Sequence, residues 1–267
     1  MGRLIVFVLL SVSSFYAPLV MKRLTKGFHL TRLDVYDWNA FKGLNQDDVN
    51  PPIEQEILEV LSQPFTYLHR GAQCYVFESQ DRKYVIKFFQ KRKKKIKKID
   101  FTSYLIAYYK AKEETALLYM HLIPTQQGLP KLSVRSPLGK WFSLFLDRYA
   151  FVIQKKTKSF RETLLQASKE KTLDVYLFSL LDLLDQRIAK GIRNKDLSLS
   201  SNFGFLGEQA IEFDCGCYLE SVDFLQPSYQ TLEKTLFVNQ LRLFMEANLP
   251  DDLGLFEELV QKRVYQQ

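Results

Sequence analysis

The stretch 191–216 constrains the fold of this chain most. Two short apolar runs, residues 202–205 and 210–213, are separated by a glycine-containing turn, and this pattern predicts a loop followed by a tight β-hairpin. Asp196 lies before the hairpin and Asp214 follows it directly. A rigid hairpin fixes the residues that flank it, so the two carboxylates are predicted to be held in a defined arrangement.

This arrangement resembles the catalytic and metal-binding loops of the protein-kinase-like fold, in which two aspartates flank a short hairpin. The resemblance implies phosphoryl transfer, a reaction that depends mainly on positioning and on neutralising charge. It implies that Asp196 orients or deprotonates the acceptor hydroxyl, and that Asp214 binds Mg²⁺ with Asn202 or Ser201 assisting. The implied cofactors are ATP and Mg²⁺, and the implied partners are a nucleotide and an unknown hydroxyl acceptor.

The chain departs from the family pattern in this loop. Asn194-Lys195-Asp196 stands where the family has His-Arg-Asp, and Asp214-Cys215-Gly216 stands where it has Asp-Phe-Gly. The family asparagine follows the base by five residues, but that position holds Ser201 and Asn202 comes next. Two functions therefore stay open: an active phosphotransferase, or an inactive pseudokinase that serves as an interaction or nucleotide-binding module.

The stretch 65–89 contains three apolar runs separated by turns, which predict a β-meander. The meander resembles the glycine-rich loop and the lysine strand of the same fold. Val76 matches the residue that covers the adenine, and Lys87 matches the lysine that reaches the phosphates. Only Gly71 remains of the three loop glycines, so a close backbone approach to the phosphates is expected there. An alternative is that Lys87 only keeps an edge strand soluble.

Residues 101–122 carry apolar side chains at alternating spacings of four and three, which predicts a helix with one buried stripe. Glu114 lies at the edge of this stripe, whereas Glu113 points away from it. In the family, a helix carboxylate pairs with the strand lysine. The resemblance therefore implies that Glu114 is the partner of Lys87, and Glu113 is expected to be a solvent-exposed charge.

Two later apolar runs, residues 141–146 and 149–153, are predicted to complete the small sheet, with residues 154–156 as the hinge that meets the adenine. Leucines recur on one face of residues 172–190 and predict a long helix that leads into the candidate loop. The remaining predicted helices are residues 53–61, 232–247 and 253–264.

These elements together predict an α+β chain with a two-lobed protein-kinase-like fold. A small antiparallel β-sheet lobe with one helix would precede a reduced, mainly helical lobe. The predicted divisions are a hydrophobic N-terminal segment at 1–23, an extension at 24–64, the small lobe at 65–156 and the shortened large lobe at 157–267.

The formal net charge of +7 is accounted for by one segment, Lys91–Lys98, which has seven basic residues. A nucleic-acid binder more often spreads its basic residues along a face with interleaved aromatics, which argues against a nucleic-acid partner. The segment is predicted to be a solvated loop or to contact an anionic membrane surface, where each basic residue contributes about 1 kcal/mol. A basic membrane-surface or nucleic-acid adaptor would explain this segment but not the acidic loop.

The uncharged segment Leu4–Val20 is predicted to be a short membrane anchor, a signal peptide or a hydrophobic N-terminal helix, with the anchor favoured. The basic residues that follow it outnumber Arg3, so the positive-inside rule predicts a membrane-associated protein whose kinase-like domain faces the cytoplasm. A cleaved signal would instead give a secreted protein. The chain has three cysteines, an odd number that favours reduced thiols in a cytosol-facing domain.

Overall fold

The computed structural model describes residues 20–33, 46–90, 101–126 and 128–265. Helices and strands both contribute to these ranges, which confirms the predicted α+β class. The chain divides into two compact units: the first comprises residues 1–99 and 120–153, and the second comprises residues 100–119 and 154–267. The kinase-like lobe boundaries expected from the sequence stay a prediction.

Strands occur along most of the described chain. They are β1 Phe65–Arg70, β2 Cys74–Ser79, β3 Tyr84–Phe89, β4 Leu117–His121, β5 Lys131–Arg135, β6 Trp141–Phe145, β7 Phe151–Lys155, β8 Lys158–Ser159, β9 Ile192–Asn194, β10 Phe203–Leu206, β11 Gln209–Glu212 and β12 Tyr218–Glu220.

Helices are concentrated after residue 159. The α-helices with assigned bounds are α1 Gln46–Val49, α2 Gln55–Ser62, α3 Thr102–Lys110, α4 Lys112–Thr115, α5 Phe160–Glu170, α6 Leu173–Ala189, α7 Leu199–Asn202, α8 Pro227–Asn248 and α9 Leu253–Val260. Residues 20–24 are also helical. The chain after α9 continues as a π-helical turn, Gln261–Tyr265, where the sequence predicted more α-helix.

Seven strands form one sheet in the order β4-β7-β3-β2-β1-β5-β6. The antiparallel pairs β1–β2 and β2–β3 confirm the predicted meander. β1 and β5 run parallel, so the sheet is not purely antiparallel as predicted. β6 and β7 both belong to this sheet, as predicted, and they are well separated in it. β6 pairs with β5 across the turn at 136–140.

The single helix predicted over 101–122 is wrong in its C-terminal part. α3 ends at Lys110, α4 covers only Lys112–Thr115, and Ala116 then adopts a left-handed conformation with φ of 52°. The following residues form β4, in which Leu117 and Met120 are buried. A short apolar run suits a buried strand as well as a helix, so spacing alone did not separate the two.

A cluster of aromatic side chains lies in the core of the first unit. Phe28 packs against Tyr75 and Phe77, with ring centroids 5.1 Å and 5.7 Å apart. Phe77 in turn contacts Phe88 edge to face at 5.8 Å. Edge-to-face pairs add stability beyond simple burial and favour one orientation of each ring. The strands β2 and β3 are therefore held by packing.

The core of the second unit is formed by helices around the hairpin β10–β11. Leucines of α6 and apolar residues of α8 and α9 bury their side chains together with Phe160 and Phe205. Gly204 of β10 lies so close to β8 that a Cβ atom would meet the carbonyl oxygen of Lys158 at 2.5 Å. Only glycine fits at this close approach of two backbones, so the hairpin is fixed against β8.

Candidate active site

The loop between β9 and α7 and the segment after β11 carry the two aspartates predicted as site residues. β9 pairs antiparallel with β12, and Asn194, the last residue of β9, lies opposite Tyr218, the first of β12. Asp196 follows Asn194 and Asp214 precedes Tyr218 in the chain. Both carboxylates therefore lie beyond the same end of this two-stranded sheet.

The hairpin that separates the aspartates has the form that the sequence predicted. β10 and β11 pair with Leu206 opposite Gln209, which leaves Gly207 and Glu208 as a two-residue turn. Gly207 has φ of +62°, the conformation that such a tight hairpin turn requires. The hairpin prediction is confirmed.

Asn202 joins the two aspartate segments. Its buried side chain donates a hydrogen bond from Nδ2 to the backbone oxygen of Asp196 at 3.0 Å. Its own backbone oxygen accepts from the N–H of Asp214 at 3.3 Å. Ser201 is exposed, and its hydroxyl lies 3.0 Å from Oδ1 of Asn202. Asn202 is therefore the bridging residue, although it comes one position later than the family pattern expects.

Asn194, which stands where the family has histidine, forms a second bridge. The sequence did not predict this bridge. Its Oδ1 accepts from the N–H of Asp196 at 2.9 Å. Its Nδ2 donates to the backbone oxygen of Asp214 at 3.3 Å and to Oε1 of Glu212 at 2.7 Å. One amide can both accept and donate, so Asn194 couples the two aspartate segments without a histidine.

Buried charged residues lie beneath these bridges. Glu212 is fully buried, and its Oε2 is 3.5 Å from Nε of Arg187. Arg187 also lies 3.5 Å from Glu233, which is 2.6 Å from Nε of Arg193. Two carboxylates thus face two guanidinium groups, and the group of four is formally neutral. Buried charges persist only when they are compensated in this way.

Tyr218 completes this charged group. Burial, and next the neighbouring carboxylate of Glu212, raise the pKa of the Tyr218 hydroxyl well above its ordinary value. The hydroxyl therefore stays protonated and donates to Oε2 of Glu212 at 2.8 Å. We refer to Arg187, Glu212, Tyr218 and Glu233 as the buried charged frame. Arg193, which pairs with Glu233, is partly exposed.

The two carboxylates themselves are exposed. Oδ1 of Asp196 accepts from the N–H of Ser198 at 3.2 Å, and Oδ1 of Asp214 accepts from the N–H of Gly216 at 3.3 Å. The second oxygen of each carboxylate accepts no hydrogen bond from the residues that the structure describes. Carboxylate and amide oxygens suit Mg²⁺, which binds through a few protein oxygens and retains water ligands. The described ranges contain no cluster of three His, Cys, Asp or Glu residues that could hold a metal ion, so a magnesium ion here would depend on Asp214 and Asn202.

The predicted nucleotide-contacting residues of the first unit lie on neighbouring strands. Val76 of β2 is directly opposite Lys87 of β3 in an antiparallel pair, so the two side chains project from the same face of the sheet. Both are buried. Gly71 lies in the turn between β1 and β2, where its N–H donates to the oxygen of Cys74 at 2.9 Å. Their roles toward a nucleotide stay predictions.

Glu114 lies in α4 and is buried, whereas Glu113 is exposed. Oε1 of Glu114 accepts a hydrogen bond from Nζ of Lys190, the residue after α6. Lys190 is therefore its ion-pair partner within the second unit. The pairing of Glu114 with Lys87 that the resemblance implies stays a prediction.

Two segments predicted to contact a membrane lie largely outside the described residues. Of the uncharged segment Leu4–Val20 only Val20 is described, and Lys91–Lys98 is not described at all. Among the helices that are described, none is long and apolar enough to cross a membrane. The predicted membrane association and orientation are therefore untested.

No protein-family model and no curated protein matches the chain. Among solved structures, the chain is similar to the Legionella pneumophila LegK7 effector kinase, with 12% sequence identity and a TM-score of 0.32. The match covers 82% of this chain but only 38% of that one. At this level of similarity the match supports no activity, and a kinase-like function stays a prediction.

Proposed function

We propose that this protein is an ATP- and Mg²⁺-dependent phosphotransferase of the kinase-like class that acts on a hydroxyl acceptor. The acceptor stays unknown. The observation that carries the proposal is the double bridge between the aspartate segments. Asn202 and Asn194 each bond both segments, so the two exposed carboxylates have a fixed backbone relation.

The residues of the loop have distinct roles in this proposal. Asp196 accepts a hydrogen bond from the acceptor hydroxyl and orients it, because its second carboxylate oxygen is exposed and accepts no bond from the described chain. Asp214 holds the metal with help from Oδ1 of Asn202. When bound, Mg²⁺ neutralises the charge of the nucleotide phosphates. Ser201 assists by donating a hydrogen bond to Oδ1 of Asn202, and it does not itself join the two aspartate segments.

The nucleotide-contacting residues of the first unit are proposed from the sequence resemblance. Gly71 and Lys87 would contact phosphate oxygens and Val76 would contact the adenine. A buried lysine opposite a buried valine suits a group that is partly charged and partly apolar. Glu114 would steady Lys87, as in the sequence prediction.

A pseudokinase is the second candidate, and one observation favours it. The turn between β1 and β2 has only Gly71 as a glycine, and the backbone N–H of Gly71 already donates to Cys74. A phosphate that needs several free N–H groups would find fewer here than in a glycine-rich loop. An inactive protein would still keep the bridges as a structural device.

The test is the thermal stability of the protein with ATP, with Mg²⁺ and with both. A nucleotide at a hundredfold excess over its dissociation constant stabilises the folded state by about 2.7 kcal/mol. We expect a rise in melting temperature that needs both ATP and Mg²⁺ and is lost in Asp214→Asn. Asp251→Asn is the matched control, because Asp251 is an exposed aspartate of the same unit outside the site.

The result also separates the two candidates. A shift that survives in Asp214→Asn, or that needs no Mg²⁺, contradicts a metal role for Asp214. No shift at millimolar nucleotide favours the pseudokinase without a ligand. A shift without transfer of the labelled phosphoryl group from γ-labelled ATP to hydroxyl-bearing acceptors favours a nucleotide-binding pseudokinase.

A further inference from the structure

The hairpin formed by β5 and β6 lies at one edge of the seven-stranded sheet. β1 separates it from β2 and β3, which carry Val76 and Lys87. The two strands pair antiparallel, with Lys131 opposite Phe145 and Arg135 opposite Trp141. Their connecting turn is well bonded, since Ser136 and Lys140 pair through their backbones at 2.8 Å. The hairpin therefore presents its outer face in a fixed form.

Large apolar side chains project from this outer face. Leu138 in the turn is 57% exposed, Trp141 is 50% exposed and Phe145 is 47% exposed. Leu132 and Leu144, on the opposite face, are buried in the sheet. Successive strand residues point to opposite faces, so the apolar residues are sorted into a core set and a solvent set. The solvent set has no core to fill.

Basic residues surround these exposed apolar side chains. Lys131, Arg135, Lys140 and Arg148 are all exposed, and residues 131–146 contain no acidic residue. None of the four basic residues forms an ion pair with any carboxylate within the described chain. We call Lys131, Arg135 and Arg148, with Leu138, Trp141 and Phe145, the basic aromatic face. Lys140 lies instead over Phe142, with Nζ 5.3 Å from the ring centre.

The basic groups lie over the aromatic rings. The guanidinium carbon of Arg135 is 5.9 Å from the ring centre of Trp141. Nζ of Lys131 and the guanidinium carbon of Arg148 are 4.7 Å and 5.1 Å from the ring centre of Phe145. Such cation–π contacts hold the charges beside the rings. They also occupy the ring faces on which a nucleic-acid base would stack.

We propose that the basic aromatic face binds the surface of an anionic lipid bilayer. Tryptophan favours the membrane–water interface, and exposed leucine and phenylalanine side chains can enter the headgroup region. Unpaired lysine and arginine residues are attracted to anionic headgroups. Leu138 at the turn has no ring or polar atom to offer a base, which favours lipid over a single-stranded nucleic acid. This proposal is independent of the phosphotransferase assignment and of the Lys91–Lys98 segment.

The first experiment uses Trp141 as its own reporter. The chain has two tryptophans, so Trp38→Phe in the full-length protein leaves Trp141 as the only one. We expect its emission to shift to the blue with vesicles of phosphatidylcholine and phosphatidylserine, but not with phosphatidylcholine alone. Added salt should reverse the shift because it screens the attraction. Unchanged emission of Trp141 overturns the proposal even if the protein sediments with vesicles, because another segment of the chain would then be the one that binds the bilayer.

A single-stranded oligonucleotide tests the competing occupant. A blue shift with anionic vesicles supports the proposal whatever the oligonucleotide does. Quenching of Trp141 by the oligonucleotide, together with unchanged emission on anionic vesicles, overturns it and assigns the face to nucleic acid.

The second experiment removes the charges. A variant with Lys131, Arg135 and Arg148 changed to Gln should partition onto anionic vesicles about fivefold less for each residue changed. The matched control changes Lys83, Lys158 and Lys169 to Gln, which removes the same charge from other exposed positions. Equal losses in both variants overturn the proposal. If the first variant does not fold, Leu138→Ser replaces it, because an exposed turn residue is not needed for the core.

Discussion

The candidate site in the second unit and the β2–β3 region of the first unit hold their side chains by different means. Around Asp196 and Asp214, asparagine amides define the positions through hydrogen bonds, and the buried charged frame adds ion pairs. Around Val76 and Lys87, the strands are fixed by aromatic packing. Packing tolerates small changes, whereas a charge network fails when one member is removed. The predicted catalytic residues therefore depend on the more fragile support.

The largest loss of stability is expected when a member of the buried charged frame is removed. Arg187→Met leaves the carboxylates of Glu212 and Glu233 buried without their shared cation. We expect a loss of about 3–5 kcal/mol in the free energy of unfolding, measured by urea denaturation of the full chain. Lys234→Met is the matched control, since its pair with Asp185 is partly exposed and should contribute at most about 1 kcal/mol.

Equal losses in Arg187→Met and Lys234→Met would mean that packing also holds the second unit. The contrast between the two regions would then be wrong. Nucleotide binding by Arg187→Met at a temperature where it stays folded gives a second reading. Retained binding would show that the aspartates keep their positions without the frame.

The order of elements around the site could be read from the sequence because it depends on local patterns. Alternating apolar runs predicted β1, β2, β3 and the hairpin β10–β11, and the spacing of leucines predicted α6. Apolar spacing gave a wrong prediction where a run was short or a helix was polar. β4 was taken for helix, and α5 was missed because its charged residues hide the apolar positions Phe160, Leu164 and Ala167.

The aspartates and Asn202 of the site were predicted from the sequence, but the frame that supports them was not. Arg187, Glu212 and Glu233 are distant in sequence and meet only in the folded chain. Two signals were nevertheless available. Arg187 lies three residues after Leu184 on the apolar side of α6, and Glu212 interrupts the apolar run of β11. A charge in a buried stripe needs a partner, so such residues indicate an internal network.

A smaller effect on stability is expected in the first unit at His121, whose polar side chain is buried in β4. Burial lowers the pKa of His121, although hydrogen bonding to Tyr149 and the charge of Asp147 oppose the shift. The neutral ring donates from Nδ1 to the oxygen of Tyr149 at 2.8 Å and stacks on Phe151. A lowered pKa means that the unfolded chain binds the proton more tightly than the folded chain. The stability that the neutral ring contributes is therefore complete above pH of about 6.5 and is lost as the pH falls further.

His121→Gln should cost about 1–2 kcal/mol at pH 7.5, because one buried hydrogen bond is disturbed. The difference from the unmodified protein should narrow as the pH falls below about 6.5, since Gln has no proton to gain. Urea denaturation at several pH values measures both quantities. Parallel stability curves for the two proteins would show that His121 does not titrate differently in the folded chain.

The smallest effect on stability is expected at Gly71, and it tests the nucleotide role directly. A Cβ atom there would meet the oxygen and Sγ of Cys74 at 3.6 Å and 3.7 Å, which are ordinary contacts, and no positive φ requires glycine. Gly71→Ala should therefore change the free energy of unfolding by no more than about 0.5 kcal/mol. If phosphates approach this backbone closely, the same methyl group will weaken the stabilisation by ATP and Mg²⁺.

Gly254→Ala is the control, because a Cβ at Gly254 meets nothing within 4 Å. Loss of the ATP-dependent shift in Gly71→Ala alone would assign the phosphates to the β1–β2 turn. An unchanged shift would remove Gly71 from the site and leave the nucleotide to the residues that the buried charged frame supports.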